Sequence, residues 1–596
     1  MKIKVSEYIS KFLELNDINK IFCVTGGFSM HLNDSFGKNK NFDIYYQHHE
    51  QASGYSAVGY SKTNSNPVVV SITAGCGGTN TITPCLVAHQ DSLPIFFISG
   101  QAKSTETINY LNNDKMKLRH YSGQDCDIIS IVKPITKYAY EINNIDEVVN
   151  VFEEAMKKLI NGRPGPVWIS IPIDIQGSLF DEEPELKKIE KDIFNQIVNK
   201  DDIDNIYNLL KESKRPMIIA GGGIKLGHCR EKFRNFISKY NIPIVSTFHG
   251  LDILETENNL FSGRIGLVGD RSGNFSMQNC DLLLIMGSRM AQGVVGYRAD
   301  WFARGAKIIY IDNDENELQK ENVNYYLKIN MDLNLLFDNF NFDQKTLPDY
   351  TEWVEKCNYW KNKWLYEMPP DLLDENGINP YFALKKFNEI APSNKNVICA
   401  SGSILNIIWH MANIKENDKF IISSQGDMGF ELTASIGACI AEPNNLTIPI
   451  FGEGSLQFNI QELQTIVHHN FPIKIMITNN NCYGANFLTQ NIYFGCKNGA
   501  DKESGLSFPS TEKIANAYGI HYIRIEKNED LEEKYKYFLS YNGPIICEII
   551  CKVQLRTPKI SAFKNEDGTF TNRPLEDLEP FIDREEFKKE MIVDIV

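Results

Sequence analysis

The sequence predicts an α/β protein built from three doubly wound parallel-sheet domains. Short apolar runs of strand length alternate with stretches of helical period along almost the whole chain, the pattern of parallel strands joined by covering helices. Glycines cluster directly after several of these runs, where a strand must turn sharply into the next element. At 596 residues the chain is long enough for three or four domains.

The first domain is expected over residues 1–180, with apolar runs at 20–25, 68–73, 95–99 and 167–171. The acidic, proline-containing stretch 177–191 reads as a linker. A central Rossmann-like domain follows over 190–345, with runs at 217–220, 244–246, 282–286 and 308–312. Gly221-Gly222-Gly223 ends one run and Gly287-Ser288-Arg289 another, where nucleotides bind in open sheets; tight turn packing explains the same glycines. A Trp/Tyr/Lys-rich stretch, 350–368, and Pro369-Pro370 lead to a third α/β domain over 370–555. The first and third domains both read as six-strand layers. The tail, 556–596, is expected to be an ordered cover.

Composition narrows the function. A net charge of −15 with no Lys/Arg block argues against a nucleic-acid surface. Thirteen scattered cysteines without a Cys-x-x-Cys pair read as reduced thiols of a cytoplasmic protein. The N-terminus lacks an apolar signal core, and no apolar run approaches the roughly 18 residues of a membrane span.

Residues 452–481 carry the densest chemistry. The run Ile448-Pro449-Ile450-Phe451 ends in Gly452-Glu453-Gly454-Ser455, an acid between two glycines at a strand-to-helix turn. Glycines let the backbone approach an anion, and the next helix offers free N–H groups to phosphate. The acid cannot bind phosphate itself, so a cation must lie between them. Asn480 follows a second strand-like run, 473–478, and adds a neutral oxygen. One carboxylate, one amide oxygen and diphosphate oxygens suit Mg2+, which is usually held through phosphates. The plain alternative is a glycine-rich turn with an incidental acid.

A second centre lies near the N-terminus. His48, His49, Glu50 and Gln51 stand at a strand end, ahead of a helix rich in Ala, Ser and Gly. Those small residues predict close packing. Glu50 reads either as a helix-terminal acid offsetting the dipole or as a working carboxylate.

The pair of centres, in this order, resembles the thiamine diphosphate (ThDP) enzymes. Their metal–diphosphate motif runs Gly-Asp-Gly, a gap of similar length, then Asn-Asn; Glu453 stands here for the aspartate, one methylene longer. Other segments match in order. Val24-Thr25-Gly26-Gly27-Phe28 resembles the loop covering the reactive centre. Thr73-Ala74-Gly75-Cys76-Gly77-Gly78-Thr79-Asn80 resembles Ser-Gly-Pro-Gly-Ala-Thr-Asn, and the strand from Ser92 to Gln101 resembles Asp-Ser-Val-Pro…Gly-Gln. Gly426-Asp427-Met428-Gly429-Phe430, with the small-residue helix after it, resembles Gly-Thr-Met-Gly-Tyr-Gly-Leu-Pro-Ala-Ala. The resemblance runs from Val5 to about Cys551. It is closest to acetolactate synthase-like enzymes, and within them to carboligases that add two-carbon branches to keto-sugars.

The resemblance implies pyrimidine-binding, central and diphosphate-binding domains, and two cofactors, ThDP and Mg2+. It implies Glu50 as the carboxylate sharing a proton with the cofactor's pyrimidine, with Gln101 and His49 as further catalytic candidates. The cofactor would be held by Gly26, Gly27, Phe28, Thr73, Asn80, Ser403, Gly426, Met428, Gly452, Gly454, Ser455, Asn480, Tyr483 and Gly484. The metal would be held by Glu453, Asn480 and the backbone oxygen of Cys482. Related enzymes place FAD in the central domain or leave that site empty, and Gly293 stands where they carry a second arginine. The implied reaction is decarboxylation of a 2-oxo acid, pyruvate, with transfer of the two-carbon unit to an acceptor carbonyl on a nucleotide-linked keto-sugar. The alternatives are acetolactate synthesis, simple decarboxylation, or a non-catalytic protein on the same fold. Ala485 and Thr489 stand where the synthases carry Met and Trp, Ser403-Ile404-Leu405-Asn406 replaces Val-Gly-Gln-His, and His48 replaces Arg. A homodimer or tetramer is expected, because the family's cofactor bridges two chains.

Overall fold

The computed structural model describes residues 2–192, 198–340, 345–369, 372, 377–553, 558–565 and 567–596. Pro370, part of the expected link, lies outside the described residues. Three six-stranded parallel sheets, in the order expected, form the molecule.

The first sheet holds β1 (Lys20–Cys23), β2 (Asp43–Tyr46), β3 (Val68–Ile72), β4 (Ile95–Gln101), β5 (Tyr138–Glu141) and β6 (Val167–Pro172). Its strand order is β2-β1-β3-β4-β6-β5. The central sheet holds β7 (Pro216–Ala220), β8 (Ile244–Ser246), β9 (Phe261–Arg264), β10 (Leu282–Met286), β11 (Lys307–Asp312) and β12 (Leu327–Asn330), ordered β9-β8-β7-β10-β11-β12. That is the doubly wound order of dinucleotide-binding sheets, with the direction reversing between β7 and β10. The third sheet holds β13 (Lys395–Ile398), β14 (Lys419–Ile421), β15 (Leu446–Gly452), β16 (Lys474–Asn479), β17 (His521–Ile525) and β18 (Ile545–Ile550). Its order, β14-β13-β15-β16-β18-β17, repeats that of the first sheet strand for strand.

The central strands are mostly apolar and buried on both faces: every residue of β3, β4, β6, β7 and β10 is buried, with Ser71, Ser99, Gln101 and Ser170 the polar members. The edge strands β5, β12 and β17 are mixed in polarity and only partly buried. They lack the continuous apolar run by which the central strands are recognised.

Five helices position the site: α1 (Glu50–Asn64), α2 (Gly402–Met411), α3 (Phe430–Ala441), the single turn α4 (Glu453–Leu456) and α5 (Gly484–Phe494). α1 follows the second strand of the first sheet and α3 the second strand of the third, so the two are topological counterparts. They pack against each other with backbones in contact. A Cβ on Gly59 would stand 2.1 Å from the Ala434 carbonyl oxygen, and one on Gly437 1.8 Å from that of Ser56. The Ser56 hydroxyl donates to the Thr433 carbonyl across the same crossing, at 2.9 Å. The Ala/Ser/Gly face of α1 thus makes the close contact that its composition predicts.

The tail docks on the central sheet's helices. Arg271 donates to the Leu578 carbonyl at 3.2 Å, Gln278 to Glu576 at 2.7 Å, and Phe587 packs edge-on against Phe275. Among the described residues, no helix is long and apolar enough to cross a membrane.

Candidate active site

Glu50 opens α1. His49 caps that helix, its Nδ1 accepting the Gln51 N–H at 3.1 Å. The Glu50 carboxylate accepts from the Asn80 amide at 2.9 Å. Around it the backbone is crowded. A Cβ on Gly77 would lie 2.9 Å from the Thr73 methyl and 3.5 Å from Glu50 Oε1, and one on Gly26 would lie 2.4 Å from Thr73 Cβ. Gly27, beside it, faces open space. Glu50, Thr73, Asn80 and the Gly26-Gly27 turn therefore form one cluster at the carboxyl ends of β1, β2 and β3. The Thr73 hydroxyl is buried there with no hydrogen-bond partner, a state that costs free energy unless something else meets it. Glu50 itself is only half-buried in a single chain.

Phe28 sits over the end of β4, where a Cβ on Gly100 would meet the Phe28 carbonyl oxygen at 2.1 Å. Gln101 points inward. Its Nε2 donates to the Cys126 carbonyl at 2.8 Å and to Glu141 at 3.0 Å, and its Oε1 accepts from Ala102 N–H at 2.9 Å. Both ends of that amide are taken up by the first domain's own groups.

The second cluster gathers at the carboxyl ends of β15 and β16. Gly452 precedes α4, and Glu453, its first residue, is 2% exposed. Burial pushes the Glu453 carboxyl up to about 7. Its Oε1 accepts the Cys482 N–H at 2.9 Å, and Asn480 Oδ1 accepts the same N–H at 3.1 Å. Asn481, between them, takes a left-handed conformation, φ 55°, which folds the chain back on itself. Gly454 lies under the Tyr483 ring, 2.4 Å from where its Cβ would be. A Cβ on Gly484 would meet Asn480 Nδ2 at 2.9 Å and Ser403 Oγ at 3.0 Å. Ser403 thus joins Glu453, Asn480, Tyr483 and Gly484 in one cluster. Ser455 Oγ accepts the Gly429 N–H at 2.8 Å, which ties α4 to the loop bearing Gly426 and the half-buried Met428.

Three family models match the chain in order. The thiamine pyrophosphate enzyme N-terminal TPP binding domain matches residues 3–131, the central domain 203–337, and the C-terminal TPP binding domain 400–549. The probable acetolactate synthase large subunit of Methanocaldococcus jannaschii is 30% identical over 567 residues, covering 92% of each chain. The acetolactate synthase isozyme 2 large subunit of Escherichia coli is 27% identical over 553 residues, covering 91% of this chain and 95% of its own. A chloroplastic acetolactate synthase of Nicotiana tabacum is 28% identical over 583 residues, covering 94% and 85%. The chain belongs to the thiamine diphosphate enzyme family.

In this ThDP enzyme the two clusters fit the two ends of such a cofactor. The orphaned Thr73 hydroxyl and the Glu50 carboxylate could hold its pyrimidine. The buried Glu453 and the Asn480 amide oxygen, with small or glycine backbone at 452, 454 and 484, could hold a divalent cation and diphosphate. Among the described residues no group of three or more His, Cys, Asp or Glu side chains is placed to bind a metal, so a cation here depends on amide, backbone and ligand oxygens. No hydrogen bond or ion pair among the described residues joins Glu50, Thr73 or Asn80 to Glu453, Asn480 or Ser403. α1 instead seats on its own chain through neighbouring residues: Glu462 accepts the His48 N–H at 3.0 Å, and Gln51 accepts from Asn459 at 3.4 Å.

The ThDP enzyme also carries a cavity of about 470 Å³ at the carboxyl ends of β7, β10 and β11. Gly222, Gly223, Arg289 and Asp312 line it, and Lys62 and Ser424 close it from the other two domains. Gly221 and Gly223 serve first for contact between loops, since Cβ atoms there would meet Gly287 at 2.2 and 2.7 Å. Gly293 faces open space. Burial raises the Asp312 carboxyl to about 6. Burial alone would also raise Asp91, but its ion pair with Lys62 at 2.6 Å and the nearby His249 bring it down to about 2. Sequence reasoning missed this Lys62–Asp91–His249 group, whose members lie in separate motifs. It also missed Glu431, whose signal was an acid inside the apolar run Phe430-Glu431-Leu432.

Proposed function

We propose that this enzyme decarboxylates pyruvate and joins the two-carbon unit to a second 2-oxo acid, as an acetolactate synthase. The observation that carries the reading is the presence of the Glu50 cluster and the Glu453–Asn480 cluster together in a chain similar to acetolactate synthase large subunits. ThDP, when bound, would supply a nucleophilic carbon that adds to the keto group and a cationic ring that takes up the electron pair left as CO2 departs. The chain's own residues do the rest. Glu50 holds a proton at the pyrimidine end, oriented by Asn80. Gly26, Gly27 and Phe28 cover that end and exclude water. Glu453, Asn480 and the Cys482 carbonyl hold Mg2+ against the diphosphate, with Ser403, Gly452, Gly454, Ser455, Tyr483 and Gly484 around it. Met428 with Gly426 supports the middle of the cofactor. His49, spent on capping α1, and Gln101, spent inside its domain, act on orientation.

That no hydrogen bond or ion pair among the described residues joins the two clusters accords with a working unit of two chains, each completing the other's site. We assign the central cavity to FAD: Arg289 and the bare glycine backbone at Gly222 suit a diphosphate, and Asp312 suits a ribose hydroxyl. Thirteen unpaired cysteines, most of them buried, accord with a reducing cytoplasm.

A keto-sugar acceptor is the second reading, favoured by α5. Ala485 and the exposed Thr489, whose hydroxyl turns back to the Ala485 carbonyl at 2.8 Å, leave that helix face open. Purified protein with ThDP and Mg2+ tests both. Acetolactate from pyruvate alone supports the first reading. CO2 release only with a nucleotide-linked keto-sugar, with mass gained by that sugar, replaces it with the second. No release from pyruvate under either condition overturns both.

A further inference from the structure

Glu431, the second residue of α3, is fully buried, and two separate segments of the chain donate to it. Its Oε1 accepts from the Ala400 N–H at 3.2 Å, the Ser401 N–H at 2.9 Å and the Ser401 hydroxyl at 2.7 Å. Its Oε2 accepts from the Ser455 hydroxyl at 2.6 Å. That hydroxyl in turn accepts the Gly429 N–H at 2.8 Å. All of these donors are neutral. Burying a carboxylate without a cation is costly, and burial raises its pKa, so the arrangement persists only because every donor is aimed at it.

These two segments, and the Gly429 loop that leads into α3, are the ones that carry the diphosphate cluster. Ala400-Ser401 leads into Gly402 and Ser403 at the start of α2. Ser455 lies two residues after Glu453. Gly429 follows Met428. The motif that this stretch resembles has glycine where Glu431 stands.

We propose that Glu431 is a positioning residue that locks the Ser403 loop, the Met428 loop and the Glu453 turn into one cradle for the metal–diphosphate group. This inference rests on the ThDP reading given above. A helix-terminal acid serving only its own helix dipole needs none of the bonds to Ser401 and Ser455. The proposal gives those two bonds a purpose: they fix the Ser401 loop and the Ser455 turn to each other through one carboxylate.

The test is equilibrium binding, not turnover. Apo-protein is titrated with ThDP at saturating Mg2+, and with Mg2+ at saturating ThDP, by calorimetry, for wild type, Glu431→Ala, Glu431→Gln and Ser455→Ala. The expected result is a loss of about 10–100-fold in Mg2+ and ThDP affinity for Glu431→Ala, the range seen when an outer partner of a metal ligand is removed. Glu431→Gln, which keeps one oxygen for Ser401, is expected to recover part of it, and Ser455→Ala to lose part. The KM for pyruvate at saturating cofactor is expected to stay within about twofold, since a cradle residue acts on cofactor binding. If Glu431→Ala does not fold, Glu431→Gln and Ser455→Ala carry the test. Wild-type affinity in both overturns the inference. Failure of the wild type to bind ThDP overturns instead the reading on which it rests.

Discussion

Glu453 and Asn480 accept the same backbone N–H, that of Cys482, at 2.9 and 3.1 Å. Two side-chain oxygens from the ends of adjacent strands, β15 and β16, are thereby held side by side. The donor lies in the left-handed turn at Asn481 that lets the chain reverse. A dry carboxylate beside a neutral oxygen, with no Lys or Arg paired to it among the described residues, is half of a hard-cation site.

Glu453→Gln keeps the shape of that corner and removes its charge. Mg2+-dependent ThDP binding is expected to weaken by at least about 100-fold, more than an outer partner costs. Calorimetric titration with and without chelator checks it. Retained Mg2+ affinity in the variant would remove Glu453 as a ligand.

Glu50→Gln is expected to lower turnover by about 10²–10⁴-fold, the usual contribution of a positioned acid–base group. ThDP affinity is expected to change far less, because the amide can still meet Asn80. A single-turnover assay at saturating cofactor separates the two. Undiminished turnover would end the proposed role.

Gly437→Ala drives a methyl group to within 1.8 Å of the Ser56 carbonyl oxygen. α1 and α3 must then part, and the expected destabilisation is at least the ~1–3 kcal/mol of overpacking. Urea unfolding measures it. Because α1 carries Glu50 at its end, activity is expected to fall along with stability.

The Asp312 carboxyl is raised from 3.8 to about 6 in the folded chain. The folded state therefore binds this proton more tightly than the unfolded state. The stability it contributes is present below pH 3.8 and is lost as pH rises through about 6. Asp312→Asn is expected to flatten that part of the melting-temperature profile relative to wild type. Identical profiles across that window would show that Asp312 is not buried as described.

The visible spectrum of the purified protein tests the central cavity. Flavin absorbance that is lost on Arg289→Ala and kept on Glu50→Gln is the expected pattern. Added FAD that fails to bind would leave the cavity without the assigned ligand.

The sequence by itself determined the three-sheet fold and the chemistry of the two clusters. Central strands such as β3, β4 and β10 are mostly apolar on both faces, and the turns after β7 and β15 need glycine, so both leave local signals. Glu453 and Asn480 were legible because their spacing is set by one strand–helix–strand unit. Only the tertiary structure decided the rest. The edge strands β5, β12 and β17 are defined by hydrogen bonds to a neighbour, which no short run of side chains encodes. Gln101 looked available at a strand end until Cys126 and Glu141 were seen to take its amide. Glu431 draws its donors from Ala400, Ser401 and Ser455, on two other segments of the chain. Asp91 is held ionised by Lys62, a residue on a different element, because a buried charge is tolerated only where the fold brings its partner alongside.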